Sequence, residues 1–245
     1  MSENYIFRSY KPGDEKKISE LLSNVFNGWP HIDTDLSSEE YWSWKYLHNP
    51  VHKSQLSFGF DGKKAISCHH NMVVELKIMN QTILGCAAQD FAVHPNYRGK
   101  GLSSKTSTPN EVRRKKEAVI FSYFITRNPK LIQMYSNSKN PENRRPRFPQ
   151  DIINLTRIRD VDLHFKNIPV KNQTLIKTGV KALKAWNKTT NQPEPENTLR
   201  VTEVQHFEDD IDIFIETILQ EHNFMIIRSA KYLNWKYAYP KLGDY

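Results

Sequence analysis

Nine consecutive residues combine types that suit the binding of an anion: His94-Pro95-Asn96-Tyr97-Arg98-Gly99-Lys100-Gly101-Leu102. They follow an apolar run, residues 83–93, that predicts a buried strand, and they precede a segment that can begin a helix. The first N–H groups of a helix carry partial positive charge, and glycine lets the main chain approach an anion without an intervening Cβ. The turn therefore predicts a site for a phosphate or pyrophosphate group.

A single acidic residue, Asp90, interrupts the apolar run before this turn. Burying a carboxylate costs free energy unless it is paired, so a carboxylate in such a setting is usually functional or hydrogen-bonded. Two interpretations stay open. Asp90 either takes part in proton transfer or accepts a structural hydrogen bond from a nearby backbone amide.

The elements that must position these residues can be predicted from the apolar pattern. Strand-like runs occupy residues 5–8, 56–60, 65–74, 83–93, 118–126 and 152–165. Asp61-Gly62 predicts a hairpin turn between the second and third runs. After a plausible N-cap at Asp14, apolar residues at helical spacing predict an amphipathic helix: Ile18, Leu21, Leu22, Val25 and Phe26. An aromatic helix around residues 41–46 should end near Pro50, since a residue before proline avoids helical angles.

Composition limits the class of protein. The 245 residues suffice for one large or two small domains, and no apolar run is long enough to cross a bilayer. The two cysteines, Cys68 and Cys86, make neither a disulfide framework nor a metal-site spacing. We therefore expect a soluble, cytoplasmic protein. The net charge of +8 leaves nucleic acid, an acidic membrane surface and a polyphosphate cofactor open, although a solvated basic surface is the commonest explanation.

The C-terminal part repeats features of the N-terminal part. Beyond a polar, proline-spaced linker at 187–198, apolar residues recur at the spacing of the first helix: Ile211, Phe214, Ile215, Ile218 and Leu219. Residues 235–237 then repeat the Trp-Lys-Tyr sequence of residues 44–46 at nearly the same interval. This order predicts a duplicated unit whose second copy stops before its sheet, so the chain looks truncated at Tyr245.

The order strand, glycine-rich turn, helix, strand and second helix resembles the GNAT superfamily of acetyl-CoA-dependent N-acyltransferases. The family's phosphate loop reads Gln or Arg, two residues, Gly, one residue, then Gly or Ala, and this chain has Arg98-Gly99-Lys100-Gly101-Leu102-Ser103. The family's Asn-Pro-x-Ala-x-x-x-Tyr segment is matched in part by Asn128 to Tyr135. The resemblance implies a mixed α/β fold with a mostly antiparallel sheet flanked by helices, followed here by a partial second unit.

The same resemblance implies roles for particular residues. The loop from Arg98 to Ser103 would bind the diphosphate of acetyl-CoA, the co-substrate. The main chain of Phe91, Ala92 and Val93 would pair with its pantetheine arm, and Asn128 would hydrogen-bond it. Tyr135 would protonate the leaving thiolate as general acid. The implied reaction moves an acetyl group to a primary amine by direct attack in a ternary complex.

A general base is harder to assign. Asp90 is the first candidate and Glu75 the second, although Glu75 can equally be a solvated hairpin residue. Aromatic residues of the second predicted helix could wall an acceptor pocket or belong to the core: Tyr41, Trp42, Trp44 and Tyr46. Because they cover more than one helical face, at least one should face a cleft or the second copy.

Other polar features favour structural explanations. Cys68-His69-His70 suggests a metal site, but adjacent strand residues point to opposite faces, so we expect structural histidines and no metal site. Cys86 is expected to be buried by packing. The basic loop 144–147 could contact the cofactor's ribose phosphate or nucleic acid, with a solvated loop as the default. The basic run 113–116 ends a predicted helix and complements its dipole.

Three departures from the family leave an alternative open. Pro109 should break the helix after the loop, threonines 106 and 108 stand where the family has aliphatic residues, and Ser136-Asn137-Ser138 replaces the usual Gly-Phe. A non-catalytic or degenerate CoA-binding or interaction module is therefore the second hypothesis. Nucleic-acid binding is the weakest of the three, because aromatic and basic residues do not form one recognisable platform.

The sequence thus predicts three segments: an acyltransferase domain at 1–166, a helical and proline-containing linker at 167–198, and an incomplete second copy at 199–245. The expected partner is an amine-bearing acceptor of unidentified chemistry, without a membrane. A homodimer or a missing C-terminal half could complete the second copy.

Overall fold

The computed structural model describes residues 4–137 except 33 and 127, five positions between 178 and 185, and residues 202–242. The chain divides into two compact units, Met1–Thr126 with Val204–Tyr245, and Arg127–Glu203. The boundaries predicted at 166 and 198 lie outside the described residues and stay predictions. The predicted strand at 152–165 and the basic loop 144–147 lie outside the described residues, as does most of the linker.

The first unit contains one six-stranded sheet. Its strands are β1 (Ile6–Ser9), β2 (Gln55–Asp61), β3 (Lys64–Ile78), β4 (Gln81–Val93), β5 (Val119–Tyr123) and β6 (Phe224–Ile226). The order is β1-β2-β3-β4-β5, and β6 pairs with the far end of β3. All of the pairs are antiparallel except β4–β5, which is parallel. The mixed, mostly antiparallel sheet predicted from the sequence is confirmed.

The helices are α1 (Glu15–Phe26), α2 (Ser38–Leu47), α3 (Leu102–Lys116), α4 (Pro129–Ser136), α5 (Asp210–Glu221) and α6 (Ala230–Tyr237). Short 3-10 turns lie at Pro95–Tyr97 and Pro240–Leu242. Among the described helices none is both long and apolar enough to span a membrane. Asp14 precedes α1 as predicted, but its carboxylate bonds Arg8 at 2.6 Å and the Lys11 N–H instead of capping the helix.

Helices α1 and α2 cover one face of the sheet. Their apolar side chains pack against β2 and β3 in a core whose largest fully buried members include Ile18, Leu22, Trp42, Tyr46 and Phe58. Ser37 begins α2 with a capping box, in which it accepts the Glu40 N–H and its own N–H bonds the Glu40 carboxylate. This rigid layer holds α2 against the central strands.

Helix α3 covers the opposite face through polar contacts. Its buried residues, Leu102, Thr106 and Asn110, are four residues apart and form one stripe. The Ser57 hydroxyl donates to the Thr106 carbonyl at 2.6 Å, and Asn110 Nδ2 donates to the Gln55 carbonyl at 2.8 Å. Hydrogen bonds between the helix and the strands therefore replace the aliphatic contacts expected from the family.

The prediction that Pro109 breaks this helix is wrong. Helix α3 runs without interruption from Leu102 to Lys116 with Pro109 inside it. Proline removes one N–H from the helical ladder. Hydrogen bonds from Thr106 and Asn110 to β3 anchor the turns on both sides of Pro109 and oppose that loss.

Strand β6 and helix α6 of the C-terminal segment pack against the N-terminal part of their unit. Strand β6 extends the edge of β3 beyond the end of β2, with Ile226 opposite Leu76 and Phe224 opposite Ile78. Trp235 of α6 stacks on Trp44 of α2 with ring centroids 5.0 Å apart. Trp44 therefore faces the C-terminal segment, as expected for one aromatic residue of α2. A truncated second GNAT copy stays a prediction.

Candidate functional site

The glycine-rich loop links the end of β4 to the start of α3. His94 donates its backbone N–H to the Ile66 carbonyl at 2.9 Å, which ties the loop to β3. Gly99 and Gly101 adopt φ angles of 77° and 68°, a region that favours glycine. Within the described chain neither glycine donates its N–H to a backbone carbonyl. A Cβ at either position would meet no atom within 4 Å, so the space beside the loop is open.

Cationic side chains surround this open space. Arg98 Nε donates to the Val93 carbonyl at 3.2 Å, which fixes the guanidinium beside the end of β4. Lys100 Nζ donates to the Tyr5 hydroxyl at 3.2 Å and lies 5.6 Å from the centre of the Tyr97 ring. Free N–H groups, positive side chains and the first turn of α3 together fit a diphosphate.

Beside the loop, the pairing of β4 with β5 ends before β4 does, and the stretch of β4 beyond this point is called the crevice below. Their parallel pairing ends at Ala87 opposite Tyr123, whereas β4 continues to Val93. Over residues 88–93 no described strand pairs with the edge of β4 that faces away from β3. The main chain of Phe91, Ala92 and Val93 lies along this stretch, so an extended ligand could add there as a strand.

A β-bulge shapes the lip of the crevice. Two residues of β4, Asp90 and Phe91, lie opposite His69 alone, and Asp90 has a φ angle of 42°. The Asp90 Oδ2 accepts hydrogen bonds from Lys45 Nζ at 2.8 Å and from the Tyr46 hydroxyl at 2.6 Å. Helix α2 therefore holds the bulge from one face of the sheet.

This ion pair controls the charge of Asp90. Burial favours the neutral acid, but the Lys45 ammonium and the hydrogen bond from Tyr46 outweigh burial and lower the pKa of Asp90 below its ordinary value. The carboxylate is therefore ionised at neutral pH and weakly basic. Both hydrogen bonds go to Oδ2. The other carboxylate oxygen, Oδ1, has no hydrogen bond to the described residues.

His70 completes the network under the bulge. Trp42 Nε1 donates to His70 Nε2 at 2.9 Å, and indole N–H is only a donor, so the imidazole proton lies on Nδ1. Nδ1 in turn lies 3.2 Å from the Asp90 carbonyl, to which it donates. Burial lowers the pKa of His70 to about 3, so the ring stays neutral. His69 points to the opposite face and contacts Asn110, as strand alternation predicts.

The structure brings together some of the predicted site residues and separates others. The loop, the bulge and residues 91–93 lie in one unit, joined by the Arg98–Val93 hydrogen bond. Glu75 lies on β3 opposite Leu84, beside the paired part of β4 and away from the crevice. Asn128 and Tyr135 belong to the second unit, where Asn128 Oδ1 caps α4 by accepting the Lys130 N–H at 3.0 Å. The Tyr135 side chain lies outside the described residues.

A groove of about 390 Å³ lies on the outer side of α2 and is lined by Leu36, Ser37, Glu39, Glu40, Ser43, Trp44, His48 and Tyr239. Its two carboxylates, Glu39 and Glu40, repel anions. The loop at 98–103 is therefore the better candidate for a diphosphate.

Sequence reasoning missed the partners of Asp90. Lys45 and Tyr46 belong to the repeated Trp-Lys-Tyr sequence. This repeat indicates a duplicated helix or the wall of an acceptor pocket and gives no indication of an ion pair with Asp90. The one signal in the sequence is that Asp90 is an isolated carboxylate on an apolar strand, which needs a partner such as a lysine or a tyrosine. Nothing in the local pattern shows that a residue 45 positions away forms the ion pair.

No family model and no curated protein sequence matches the chain. Solved structures are similar, among them an acetyltransferase from Trypanosoma brucei (16% identity, TM-score 0.47, 62% of this chain and 100% of that one). Glucosamine-6-phosphate N-acetyltransferase from Arabidopsis thaliana is similar at 15% identity and a TM-score of 0.44, over 64% of this chain and 100% of that one. A probable N-acyltransferase from Enterococcus faecalis shows 16% identity and a TM-score of 0.45, over 54% of this chain and 32% of that one.

The fold is GNAT-like. The mixed, mostly antiparallel sheet flanked by helices and the loop between β4 and α3 agree with the arrangement that the sequence resemblance implied. This chain spans about a third of the Enterococcus faecalis protein. At such identities and TM-scores the similarity does not establish a function, so function is inferred from the residues of this chain.

Proposed function

We propose that the protein is an N-acetyltransferase that moves the acetyl group of acetyl-CoA to a primary amine. The observation that carries the proposal is the pair of glycine N–H groups, at Gly99 and Gly101, that bond no backbone carbonyl of the described residues and follow the unpaired stretch of β4. Arg98 and Lys100 add positive charge at the same place. Acetyl-CoA supplies both a diphosphate for the loop and an extended arm for the exposed edge of β4.

In the proposed reaction the amine nitrogen forms a bond to the acetyl carbonyl carbon, and the bond from that carbon to sulfur breaks. The amine loses a proton and the departing thiolate gains one, so the charges balance. Tyr135 is proposed to donate the proton to sulfur, and Asn128 to hydrogen-bond the co-substrate, as the resemblance implies. Both roles depend on side chains of the second unit.

Asp90 is proposed to act on the amine. Its lowered pKa makes it a weak base, but its Oδ1 is free to accept a hydrogen bond from an ammonium or from a water molecule that takes the proton. Its position on the bulge, next to the exposed edge of β4, supports this assignment. Glu75 is a poorer candidate because it lies beside the paired part of β4.

Titration calorimetry with acetyl-CoA tests the cofactor site. We expect saturable binding by the wild type and its loss in Gly101→Val, because a branched side chain at a φ of 68° distorts the loop and fills the anion space. Gly13→Val is the matched control, since Gly13 has a φ of 93° in open space away from the loop. No binding by the wild type at millimolar acetyl-CoA, or equal losses in both variants, would contradict the proposal.

A non-catalytic CoA-binding module is the second candidate, favoured by the engagement of Asp90 Oδ2 with Lys45 and Tyr46. The variant Tyr135→Phe separates the two. For an enzyme we expect a fall in the transfer rate of about a hundredfold with unchanged acetyl-CoA affinity, because the variant lacks the proton donor. Binding without turnover of any amine in the wild type would instead support the module.

A further inference from the structure

A primary amine of the protein itself lies at the lip of the crevice. Lys45 Nζ donates a hydrogen bond to Asp90 Oδ2 at 2.8 Å. Asp90 belongs to the stretch of β4, residues 88–93, that no described strand covers on the side facing away from β3. The extended arm of acetyl-CoA is proposed to pair with this same stretch. The Lys45 nitrogen is therefore held beside the strand along which the thioester would lie.

Aromatic rings also hold this nitrogen in place. Lys45 Nζ lies 5.3 Å from the centre of the Tyr46 ring, 5.9 Å from that of Trp29 and 6.0 Å from that of Tyr41. Aromatic faces at such distances attract an ammonium group. The side chain of Lys45 is only 16% exposed, so its flexible stem is confined. An amine confined next to a bound thioester reacts as if it were present at a very high concentration.

The second Trp-Lys-Tyr sequence supplies a lysine with the same neighbours in sequence but a different setting. Lys236 Nζ of α6 lies 5.2 Å from the centre of the Tyr237 ring and 5.9 Å from that of Tyr232. No carboxylate of the described residues pairs with it. The two lysines therefore share their local sequence and their aromatic neighbours, and they differ in the contact of Lys45 with Asp90.

We infer that the protein acetylates itself, and that Lys45 Nζ accepts the acetyl group of bound acetyl-CoA. This inference rests on the proposed acetyltransferase activity. The nitrogen forms a bond to the acetyl carbonyl carbon, and the bond from that carbon to sulfur breaks. Of the two protons that the ammonium group loses, one ends on the CoA sulfur, and the other passes to the Asp90 carboxylate and then to water.

The modification changes the lip of the crevice. Acetylation removes the positive charge of a lysine and with it the ability to form an ion pair. Asp90 then keeps the hydrogen bond from the Tyr46 hydroxyl but loses its counter-ion. Self-acetylation therefore releases one of the two side chains by which α2 holds the bulge.

The test is mass spectrometry of peptides from the full chain after incubation with isotope-labelled acetyl-CoA. We expect label to accumulate on Lys45 at least about tenfold faster than on Lys236 or on Lys16, an exposed lysine of α1 that reports chemical acetylation by the thioester. The rate per molecule should not depend on protein concentration, because donor and acceptor occupy one chain. Gly101→Val should abolish the faster labelling of Lys45, and Gly13→Val, the matched control, should retain it.

The outcomes separate this inference from the proposed function. Equal labelling of Lys45, Lys236 and Lys16, or unchanged labelling of Lys45 in Gly101→Val, means chemical acetylation only and overturns the inference. A rate that rises with protein concentration also overturns it, since one molecule would then modify another. If free amines are acetylated while Lys45 is not, the inference fails and the acetyltransferase proposal stands. Absence of acetyl-CoA binding in calorimetry overturns both.

Discussion

Asp90 keeps a left-handed backbone angle because both its side chain and its carbonyl are bound. The carboxylate holds Lys45 and Tyr46, and the carbonyl accepts the His70 Nδ1–H and lies 3.4 Å from Cys68 Sγ. A non-glycine residue in this region costs of order 1–3 kcal/mol and persists only where its surroundings fix it. The network therefore maintains the bulge at the lip of the crevice.

His70 should make the stability of the protein depend on pH. The pKa of His70 is about 3 when folded against an ordinary value of 6.5, so the unfolded chain binds the extra proton between these values. The free energy of unfolding should therefore fall as pH decreases from 6.5 towards 3, by up to about 1.4 kcal/mol per pH unit. Urea denaturation of wild type and His70→Gln between about pH 7 and pH 4.5 measures this slope.

The variant His70→Gln should show a smaller slope than the wild type over that range. His31→Gln is the control, because His31 is exposed and its loss should leave the slope unchanged. Equal slopes for wild type and His70→Gln would mean that His70 is not the group responsible. Asp90 also makes the free energy of unfolding fall as the pH decreases. Because the pKa of Asp90 is lowered, this contribution is confined to more acidic solutions.

The Lys45–Asp90 pair should show strong coupling in a double-mutant cycle. Asp90→Asn leaves the Lys45 ammonium without its counter-ion, and Lys45→Met leaves the Asp90 carboxylate without its counter-ion. The two side chains are only 16% and 20% exposed, so water compensates little for the missing charge. We expect each single variant to lose about 2–3 kcal/mol of unfolding free energy and the double variant to lose less than the sum. Additive losses in denaturant titrations would show that the two residues act independently.

At the scale of the element, α3 combines a proline, a buried threonine and a buried asparagine, yet it holds the first turn that would bind the diphosphate. The Thr106 hydroxyl bonds both the Leu102 carbonyl at 2.7 Å and the Ser67 hydroxyl at 2.5 Å. Asn110 Nδ2 bonds two strand carbonyls, Gln55 and His69. These directional contacts fix the register of the helix on the sheet, which apolar contacts alone would define less sharply.

Replacement of Pro109 by alanine should stabilise the protein. The Lys105 carbonyl, four residues earlier, would regain an N–H partner, so we expect the free energy of unfolding to rise by about 1–3 kcal/mol. Pro50→Ala is the control, since a loop proline restricts the unfolded chain and its loss should destabilise by about 0.5 kcal/mol. Thermal denaturation of both variants measures the two effects. A lower stability for Pro109→Ala would show that α3 depends on the proline.

At the scale of the whole molecule, the contact between α2 and α6 joins sequence-equivalent residues. Trp44 and Trp235 each begin a Trp-Lys-Tyr sequence, and each donates its indole N–H to the carbonyl of the other. Such a reciprocal contact has the form of a twofold interface within one chain. The equivalent helices differ in burial, because Leu21 of α1 is 3% exposed whereas Phe214 of α5 is 58% exposed.

The reciprocal contact predicts equal losses in Trp44→Phe and Trp235→Phe. Each variant removes one indole N–H donor and keeps an aromatic ring, so we expect each to lose about 1 kcal/mol of unfolding free energy. The double variant should deviate from additivity by about 0.5–1 kcal/mol, because the two rings stack on one another. Trp29→Phe is the control, because it also removes an indole and Trp29 lies outside this contact. Unequal or fully additive losses would contradict a reciprocal contact.

The strands β1 to β5 and the glycine-rich loop could be predicted because each is indicated by residues that are neighbours in the sequence. Alternating and continuous apolar runs gave β1 to β5 to within a few residues, and the glycines at 99 and 101 mark positive φ angles that depend on residue type. The continuity of α3 could not be predicted, because strand carbonyls distant in sequence stabilise it. The placement of β6 on β3 joins residues about 150 positions apart, and no local pattern encodes it.

The sequence by itself determined the types of the elements from β1 to α3, the glycine conformations of the loop and the opposite orientation of His69 and His70, since these follow from backbone geometry and from periodicity over a few residues. Only the tertiary structure decided that Asp90 is ion-paired with Lys45, that the pairing of β4 with β5 ends at Ala87, and that β6 pairs with β3. The reason is physical: pairing, burial and electrostatic reach depend on distances between segments, which the packing of the whole chain sets.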